Sequence, residues 1–230
     1  MQNCKKIEAV VFDIDGTLYP NYKMYITSIL FFVRHPVISL AFKRMRHHVR
    51  NTACTGDFRK FQISIFAKEL KKTEQEAEYL LDKYIYGQFI SMFKWIKPFK
   101  IIEKMLIDFK SRGIKLGVIT DFPVGRKLSF LGLDSYWDIA CSADEIGALK
   151  PKPDSFKLAA GKLGISPEKI IYVGNHYLYD IIGANSAGMM SAYFSCTKKK
   201  NSKADYTFYN YRQFWKFVLD HNKAFNGEAS

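Results

Sequence analysis

The stretch "VVFDIDGTLYP", residues 10–20, sets two aspartates directly after a short apolar run. Runs of this kind are typical of central parallel strands that are buried on both faces. Asp13 and Asp15 would then lie at the carboxyl end of such a strand, where open α/β sheets bind their ligands. Because two carboxylates this close repel each other, we expect a metal ion, a lysine or both beside them.

Further strand-like runs alternate with helical stretches along the chain. This alternation predicts an α/β fold, a Rossmann-like three-layer core with a central parallel sheet between helices. Several helical stretches end in a glycine, as helix C-caps commonly do. The predicted strands are residues 9–14, 115–120, 138–143, 169–174 and 190–195, with an edge strand at 204–208, and the predicted helices are residues 100–113, 153–164, 180–188 and 211–221.

One long region breaks this alternation, because residues 20–97 contain amphipathic helical stretches such as 57–72 and 74–89 and no convincing strand. We therefore expect an inserted all-helical cap domain at 20–97 and an α/β catalytic core formed by residues 1–19 and 98–230. Prolines at positions 20 and 98 suit the two connections, since proline and the residue before it both resist helix.

The composition narrows the class of protein. With 230 residues and 48% hydrophobic residues, the chain can bury a sizeable core. Its cysteines, Cys4, Cys54, Cys141 and Cys196, are far apart, which predicts free thiols and a reducing cytoplasm. No run reaches the ~18 uninterrupted apolar residues of a membrane span, because Arg, His and Pro interrupt the longest candidate, residues 26–42.

The net charge of +13 is unevenly distributed, and no aspartate or glutamate occurs between Gly16 and Gly56. Such a field attracts phosphorylated small molecules, nucleic acid or anionic lipid, or it forms a solvated face without a specific ligand. The segment "FKRMRHHVR", residues 42–50, is the most basic part of this region. If it faces the cleft, the substrate carries a second anionic group, but we expect it to face solvent. His47 and His48 are adjacent on a helix, so they are a poor pair of metal ligands.

Four motifs follow one another at predicted strand ends: "DIDGT" (13–17), "VITD" (118–121), "LKPKPDSF" (149–156) and "YVGNHYLYDIIGANSAGM" (172–189). In this order they resemble the motifs of the haloacid dehalogenase-like (HAD) superfamily, whose members are mostly magnesium-dependent phosphatases. The helical insertion between the first two motifs is similar to the cap that closes over the active site in one large branch of that superfamily.

The resemblance implies roles for the strand-end residues. Asp13 is the expected nucleophile, and Asp15 the expected general acid and base. Thr120 would bind a phosphoryl oxygen, and Lys150 would offset the charge between nucleophile and phosphate. Asp121 is grouped with Thr120 and Lys150 as a phosphate-binding position, although its carboxylate would have to point away from the phosphate. Lys152, at the variable position of the third motif, should reach solvent.

The fourth motif supplies the expected magnesium ligands. By resemblance, these are Asp13, the backbone carbonyl of Asp15, Asn175 and Asp180. Asn175 stands where the family usually has an acid, and its amide oxygen brings no charge, so we expect weaker metal affinity. His176, next to Asn175, is expected to be a turn residue.

Together these features predict a magnesium-dependent phosphatase that acts on a small phosphorylated metabolite through an aspartyl-phosphate intermediate. Phosphomutase, phosphonatase and dehalogenase activities belong to the same superfamily, but dehalogenases lack an acid at the position of Asp15. Because Asn175 departs from the motif, an alternative is a phosphatase-like scaffold that binds an anionic partner, nucleic acid or acidic membrane, with little or no catalysis. The sequence leaves the oligomeric state open.

Overall fold

The central element of the computed structural model, which describes residues 5–54, 56–195, 197 and 202–225, is a six-stranded sheet. Its strand order is β3-β2-β1-β4-β5-β6, and every neighbouring pair is parallel. The strands are β1 (Ala9–Phe12), β2 (Lys115–Thr120), β3 (Ile139–Ser142), β4 (Ile170–Gly174), β5 (Met190–Phe194) and β6 (Tyr206–Phe208). This confirms the predicted α/β sheet, including the edge strand.

Strand β1 lies in the middle of the sheet and is fully buried, as its apolar sequence predicts. Phe12 pairs with Val118 of β2 on one side and with Val173 of β4 on the other. The three strands therefore end at nearly the same level. The residues that follow them meet at one edge of the sheet, where an α/β protein binds its ligand.

Helices cover both faces of the sheet. Phe12 packs with residues of the helices Ile102–Ser111 and Tyr211–Phe225 on one face, whereas Val11 packs with residues of the helices Pro153–Leu163 and Gly183–Ser186 on the other. The core helices are α5 (Ile102–Ser111), α6 (Gly125–Leu131), α7 (Ala143–Ile146), α8 (Pro153–Leu163), α9 (Gly183–Ser186) and α10 (Tyr211–Phe225), and short 3-10 turns lie at Asp134–Tyr136 and Pro167–Lys169. The predicted helix at 180–188 differs, because it starts as π-helical turns at Tyr177–Ile182.

Between β1 and β2, the residues that the structure describes form helices and no strand. They are α1 (Asn21–Arg34), α2 (Pro36–Asn51), α3 (Phe58–Leu70) and α4 (Glu74–Leu80), with π-helical turns at Leu81–Phe89 and a 3-10 turn at Met92–Trp95. The amide of Phe99 donates to the carbonyl of Leu18 at 3.0 Å, so the two chain crossings run side by side. The cap boundaries at residues 20 and 97 stay a prediction.

Two cysteines can be placed in this fold. Cys54 and Cys141 both carry free thiols, as expected. Cys4 and Cys196 lie outside the described residues.

Candidate active site

Asp13 is the first residue after β1, and its side chain is almost completely buried. The Thr17 hydroxyl donates a hydrogen bond to its Oδ2 at 3.0 Å. Gly16 makes the turn between them with a φ of +82°, and a Cβ there would lie 2.2 Å from Asn175 Nδ2. The turn therefore needs glycine both for its backbone conformation and for the close approach of Asn175.

Lys150 supplies the positive charge beside Asp13. Its Nζ lies 2.7 Å from Asp13 Oδ1, 2.6 Å from Asp180 Oδ1 and 3.0 Å from the Tyr172 hydroxyl. Burial alone would lower the pKa of Lys150, but the charges of Asp13 and Asp180 outweigh it and raise the pKa well above its usual value. Lys150 is therefore a fixed ammonium between two carboxylates.

Burial has the opposite consequence for Asp13. It raises the pKa of the Asp13 carboxyl to about 7, against the lowering effect of Lys150 and with the repulsion of Asp180 and Asp15 added. At neutral pH, the protonated and ionised forms are thus of similar free energy. A further cation beside Asp13 would favour the ionised form, which is the form that can act as a nucleophile.

Asp15 has a separate partner that the sequence motifs did not reveal. Lys127 Nζ, on helix α6, lies 2.6 Å from Asp15 Oδ2, and the Tyr19 hydroxyl donates to Oδ1 at 2.8 Å. Lys127 is fully buried, between the rings of Phe93 and Phe122. The sequence signal that could have revealed this pair is a lysine among the apolar residues of α6. A lysine at a buried position needs an acidic partner, because lysine is almost never fully buried unless it is paired.

Asp180 and Asn175 follow β4, close to Asp13. The Asp180 Oδ2 accepts the amide hydrogen of His176 at 2.8 Å, and a Cβ on Gly174 would lie 2.3 Å from the Asp180 carboxyl carbon. The Asn175 Oδ1 lies 3.4 Å from the same Thr17 hydroxyl that binds Asp13. Asp13 thus shares the Thr17 hydroxyl with Asn175 and the Lys150 ammonium with Asp180, so oxygen atoms of all three residues lie near one another.

These oxygen donors fit a magnesium ion, which prefers carboxylate and carbonyl oxygens. Within the part of the chain that the structure describes, no three His, Cys, Asp or Glu side chains are arranged to hold a metal. The fit therefore depends on the Asn175 amide and a backbone carbonyl as additional ligands. His176 stacks on Tyr179 with ring centres 3.9 Å apart, and its Nδ1 accepts from the Tyr179 amide. It acts as a helix cap, consistent with the expected turn role.

The two residues that end β2 differ in their placement. Thr120 is buried, and its hydroxyl accepts from the Phe122 amide at 3.4 Å. Asp121 lines the cavity described below, but its Oδ2 lies 2.7 Å from Arg50 and 3.2 Å from Arg46. Its Oδ1 accepts the backbone N–H of Lys150. The Asp121 carboxylate is therefore held by arginines of the cap, and phosphate binding at Thr120 and Asp121 stays a prediction.

Two sequence-based expectations about basic residues are met only in part. Arg46, which was expected to face solvent, is only 5% exposed. The guanidinium of Arg50 lies over the ring of Tyr179 in the α/β core, 4.3 Å from the ring centre. Lys152 is half-buried, and its Nζ donates to the carbonyl of Thr52 at 2.6 Å. The physical reason is shared, because the cap lies directly on the motif loops. His47 and His48 do lie on the exposed side of α2.

A cavity of about 740 Å³ lies between the strand ends and the cap. Asp13, Asp15, Lys150 and Asp180 form its floor, and Arg46 and Arg50 lie at one side. The wall that the cap contributes is mostly apolar, and its aromatic members are Tyr25, Phe31, Phe32, Phe42 and Phe89. The site therefore combines a charged floor with an apolar wall.

Comparisons with known proteins agree with this architecture. The sequence model of the haloacid dehalogenase-like hydrolase family matches residues 7–188 of this chain. A glyceraldehyde 3-phosphate phosphatase of Methanothermobacter thermautotrophicus is 30% identical over 193 residues, which cover 80% of this chain and 83% of that protein. The pyrophosphatase PpaX of Bacillus cereus is 25% identical over 205 residues, or 84% of this chain and 86% of PpaX.

The fold has a similar counterpart among solved structures. A 2-haloacid dehalogenase of Pseudomonas syringae pv. tomato superposes with a TM-score of 0.67 at 22% identity, covering 93% of this chain and 98% of that one. The family model spans most of the chain, from before β1 to the turn before β5. This protein therefore belongs to the haloacid dehalogenase-like hydrolases.

Proposed function

We propose that this protein is a magnesium-dependent phosphatase that cleaves a phosphate monoester through an aspartyl-phosphate on Asp13. The observation that carries the proposal is the pairing of Asp13 and Asp15 with two separate buried lysines at the floor of one cavity. The two curated relatives named above act on different phosphorylated compounds, so what they share is the phosphoryl group.

In the proposed reaction, a carboxylate oxygen of Asp13 forms a bond to phosphorus as the ester oxygen leaves. Asp15 gives that oxygen its proton and then, as a carboxylate, takes a proton from the water that hydrolyses the aspartyl-phosphate. Lys150 neutralises part of the negative charge on the phosphoryl oxygens, and Lys127 and Tyr19 hold Asp15 in position. Magnesium, held by Asp13, the Asp15 carbonyl, Asn175 and Asp180, would neutralise further phosphoryl charge.

The cap has a proposed part in the same reaction. Arg46 and Arg50 tie α2 to Asp121, which keeps the apolar cap wall over the floor. Exclusion of water from the site strengthens the attraction between Lys150 and the phosphoryl group. The domain limits at residues 20 and 97 and a reducing cytoplasmic location remain parts of this proposal.

The test is turnover of p-nitrophenyl phosphate by the wild-type protein and by Asp13→Asn, with magnesium and with chelator. Asp134→Asn, an exposed aspartate of the core, is the matched control. We expect activity that needs magnesium and falls by at least about 10³-fold in Asp13→Asn, because the nucleophile is lost. A peptide containing Asp13 should carry a phosphoryl group after an acid quench.

Two results would count against the proposal. Undiminished turnover by Asp13→Asn would exclude the aspartyl-phosphate, and a folded wild-type protein that hydrolyses no phosphate ester would favour the non-catalytic alternative. In the second case, restoring the family's usual acid with Asn175→Asp shows whether the amide at that position is what limits metal binding.

A further inference from the structure

Helix α1 and the first residues of α2 present an apolar surface to solvent. In α1, only Ser28 and Phe31 are buried, whereas large apolar side chains spaced three and four residues apart point outward. We call this surface the hairpin face. Its members, each at least 50% exposed, are Tyr22, Tyr25, Ile26, Ile29, Leu30, Val33, Val37 and Leu40.

The exposed large apolar side chains of the molecule are concentrated on the hairpin face. With Phe32, it holds nine of the fifteen exposed large apolar side chains among the described residues. Contiguous patches of this kind mark sites of interaction with another protein or with a membrane. Scattered single residues, such as Ile107 on α5, have no such meaning.

The charge around the hairpin face decides between these two partners. Arg34, Lys43 and Arg44 are exposed beside it, with Arg44 3.7 Å from Glu69 of α3, and no acidic residue occurs between Gly16 and Gly56. In a two-fold dimer through this face, the cations would lie against their own copies, because such an interface pairs a surface with itself. An anionic bilayer instead offers an apolar interior and negative headgroups together.

The geometry favours a position in the membrane surface. No single described helix is long and apolar enough to cross a bilayer, and although α1 and α2 pass that test together, they are bent by 115° at the break. A bent pair with an apolar outer side and basic flanks can lie in the plane of the interface. Tyr22 and Tyr25 are residues that prefer this boundary.

The hairpin face also continues into the active-site cavity. Tyr25 and Leu40 belong to both surfaces. The exposed Phe32 also lines the cavity, and its ring centre lies 5.9 Å from that of Phe31 and 6.0 Å from that of Phe89. Beyond them, Phe31 and Phe89 extend the apolar wall, and the cavity reaches Asp13 and Lys150 at its floor. Apolar side chains therefore extend from the hairpin face into the cavity that holds the charged floor.

We propose that the hairpin face docks on an anionic membrane surface and that the substrate is a phosphate monoester of a bulky apolar alcohol drawn from it. The phosphate would meet Lys150 while the apolar group occupies the cap wall. The reaction at the phosphate rests on the proposed function, whereas membrane docking stands independently of it.

The first test is co-sedimentation of the full chain with vesicles of phosphatidylglycerol and phosphatidylcholine, and with phosphatidylcholine vesicles alone. We expect the wild type to sediment with the anionic vesicles and binding to weaken as salt is raised. The double variant Ile29→Glu/Val33→Glu should bind at least about tenfold more weakly, because two apolar side chains no longer enter the interface. Ile107→Glu, an equally exposed control on α5, should bind as the wild type does.

Neither Ile29 nor Val33 lines the cavity, so turnover of p-nitrophenyl phosphate should be unchanged in the double variant. A wild type that stays in the supernatant with anionic vesicles, or a double variant that sediments like the wild type, would overturn membrane docking. Membrane docking would also be overturned if velocity sedimentation showed a dimer of the wild type that is absent in the double variant, since a second copy of the chain would then cover the hairpin face.

The second test concerns the substrate. We expect kcat/KM for octyl phosphate to exceed that for glycerol phosphate by at least about tenfold, since the apolar chain gains burial in the cap wall. Equal values, or a preference for glycerol phosphate, would overturn the apolar substrate. Vesicle binding by Asp13→Asn separates the two proposals. If this variant loses turnover but still binds vesicles, Asp13 acts in the reaction and not in docking. If the wild type shows turnover but does not bind vesicles, only membrane docking is refuted.

Discussion

The floor of the cavity buries charged side chains, whereas the hairpin face exposes apolar side chains to water. At the floor, Asp13, Asp180 and Lys150 are buried and paired with one another. On the hairpin face, side chains such as Ile26 and Val33 lie in water while the charges surround them. Buried charges and exposed clusters of large apolar side chains are both uncommon in folded proteins, so each region is a candidate for binding another molecule.

The two regions differ in how far they depend on that molecule. Buried ion pairs add little net stability, but removing one partner leaves an uncompensated charge and is strongly destabilising. The charges of the floor are already paired with one another without a substrate, which is the preorganisation that electrostatic catalysis requires. The hairpin face gains its favourable burial only on binding. On the side of the buried charges, four changes are expected to have effects of decreasing size.

Replacing Lys150 should have the largest effect, because Lys150→Met leaves Asp13 and Asp180 facing each other without a cation. We expect a loss of about 3–5 kcal/mol in the free energy of unfolding, measured by urea denaturation. Activity towards p-nitrophenyl phosphate should fall by about 10³-fold, because a charge that stabilises the phosphoryl oxygens is missing.

Lys152→Met is the matched control, since Lys152 lies in the same motif and donates to carbonyls of the cap instead of to Asp13. It should change stability by about 1 kcal/mol. If the two variants behave alike, the floor is not the centre of charge that we describe.

Replacing Lys127 tests whether the second carboxylate depends on its own lysine. In Lys127→Met, Asp15 keeps Tyr19 but loses its ammonium, so we expect activity to fall by about 10²-fold through loss of acid–base catalysis. Steady-state kinetics should show the change in kcat more than in KM. Arg126→Met, on the exposed side of the same helix, should leave kcat unchanged, and an equal loss there would contradict the role of Lys127.

The sequence predicted which residues meet at the floor because local rules determine their positions. The apolar run Val10–Phe12 is typical of a central strand, and the residues after neighbouring parallel strands lie at the same edge of the sheet. Asp13, Asn175 and Asp180 were therefore placed by their positions in the chain. Lys150 was expected beside Asp13 through the family resemblance, and its 2.7 Å contact fits the charge argument for a cation there.

The sequence predicted the cap less well because its contacts are tertiary. Helical periodicity located α3 and α4, but it cannot say which side of α2 meets the core. Arg46 and Arg50 looked like a solvated face until the fold brought Asp121 to them. Lys127 was missed for a similar reason, since its partner Asp15 is far away in sequence and no short motif joins them.

Asp121 connects the motif loops to helix α2 of the cap, and Asp121→Asn should have an intermediate effect. Burial raises the pKa of this carboxyl, but Arg46, Lys150 and Arg50 together bring it below its usual 3.8. The pairing thus stabilises the folded state above the unfolded pKa and is lost as pH falls through the lower folded pKa. We expect Asp121→Asn to lose about 1–3 kcal/mol at pH 7.

This difference between wild type and Asp121→Asn should persist down to about pH 4 and shrink only at lower pH, as followed by urea denaturation across pH. Asp134→Asn serves as the exposed control and should show no comparable loss at pH 7. A difference that disappears between pH 7 and pH 5 would mean that Asp121 is not held as an ionised partner of the cap arginines.

The smallest effect concerns the Tyr172 hydroxyl, which lies 3.0 Å from Lys150 Nζ and 3.3 Å from Asp180 Oδ1. In Tyr172→Phe, the ring keeps its edge contact with Phe156, and Lys150 keeps both carboxylates. We expect a loss of about 1 kcal/mol by urea denaturation and activity within a few-fold of the wild type. Tyr206→Phe, whose hydroxyl is bonded at the surface, should change neither. A loss as large as that of Lys150→Met would mean that the hydroxyl, rather than the two carboxylates, holds the ammonium in place, and the floor would then depend on a neutral partner.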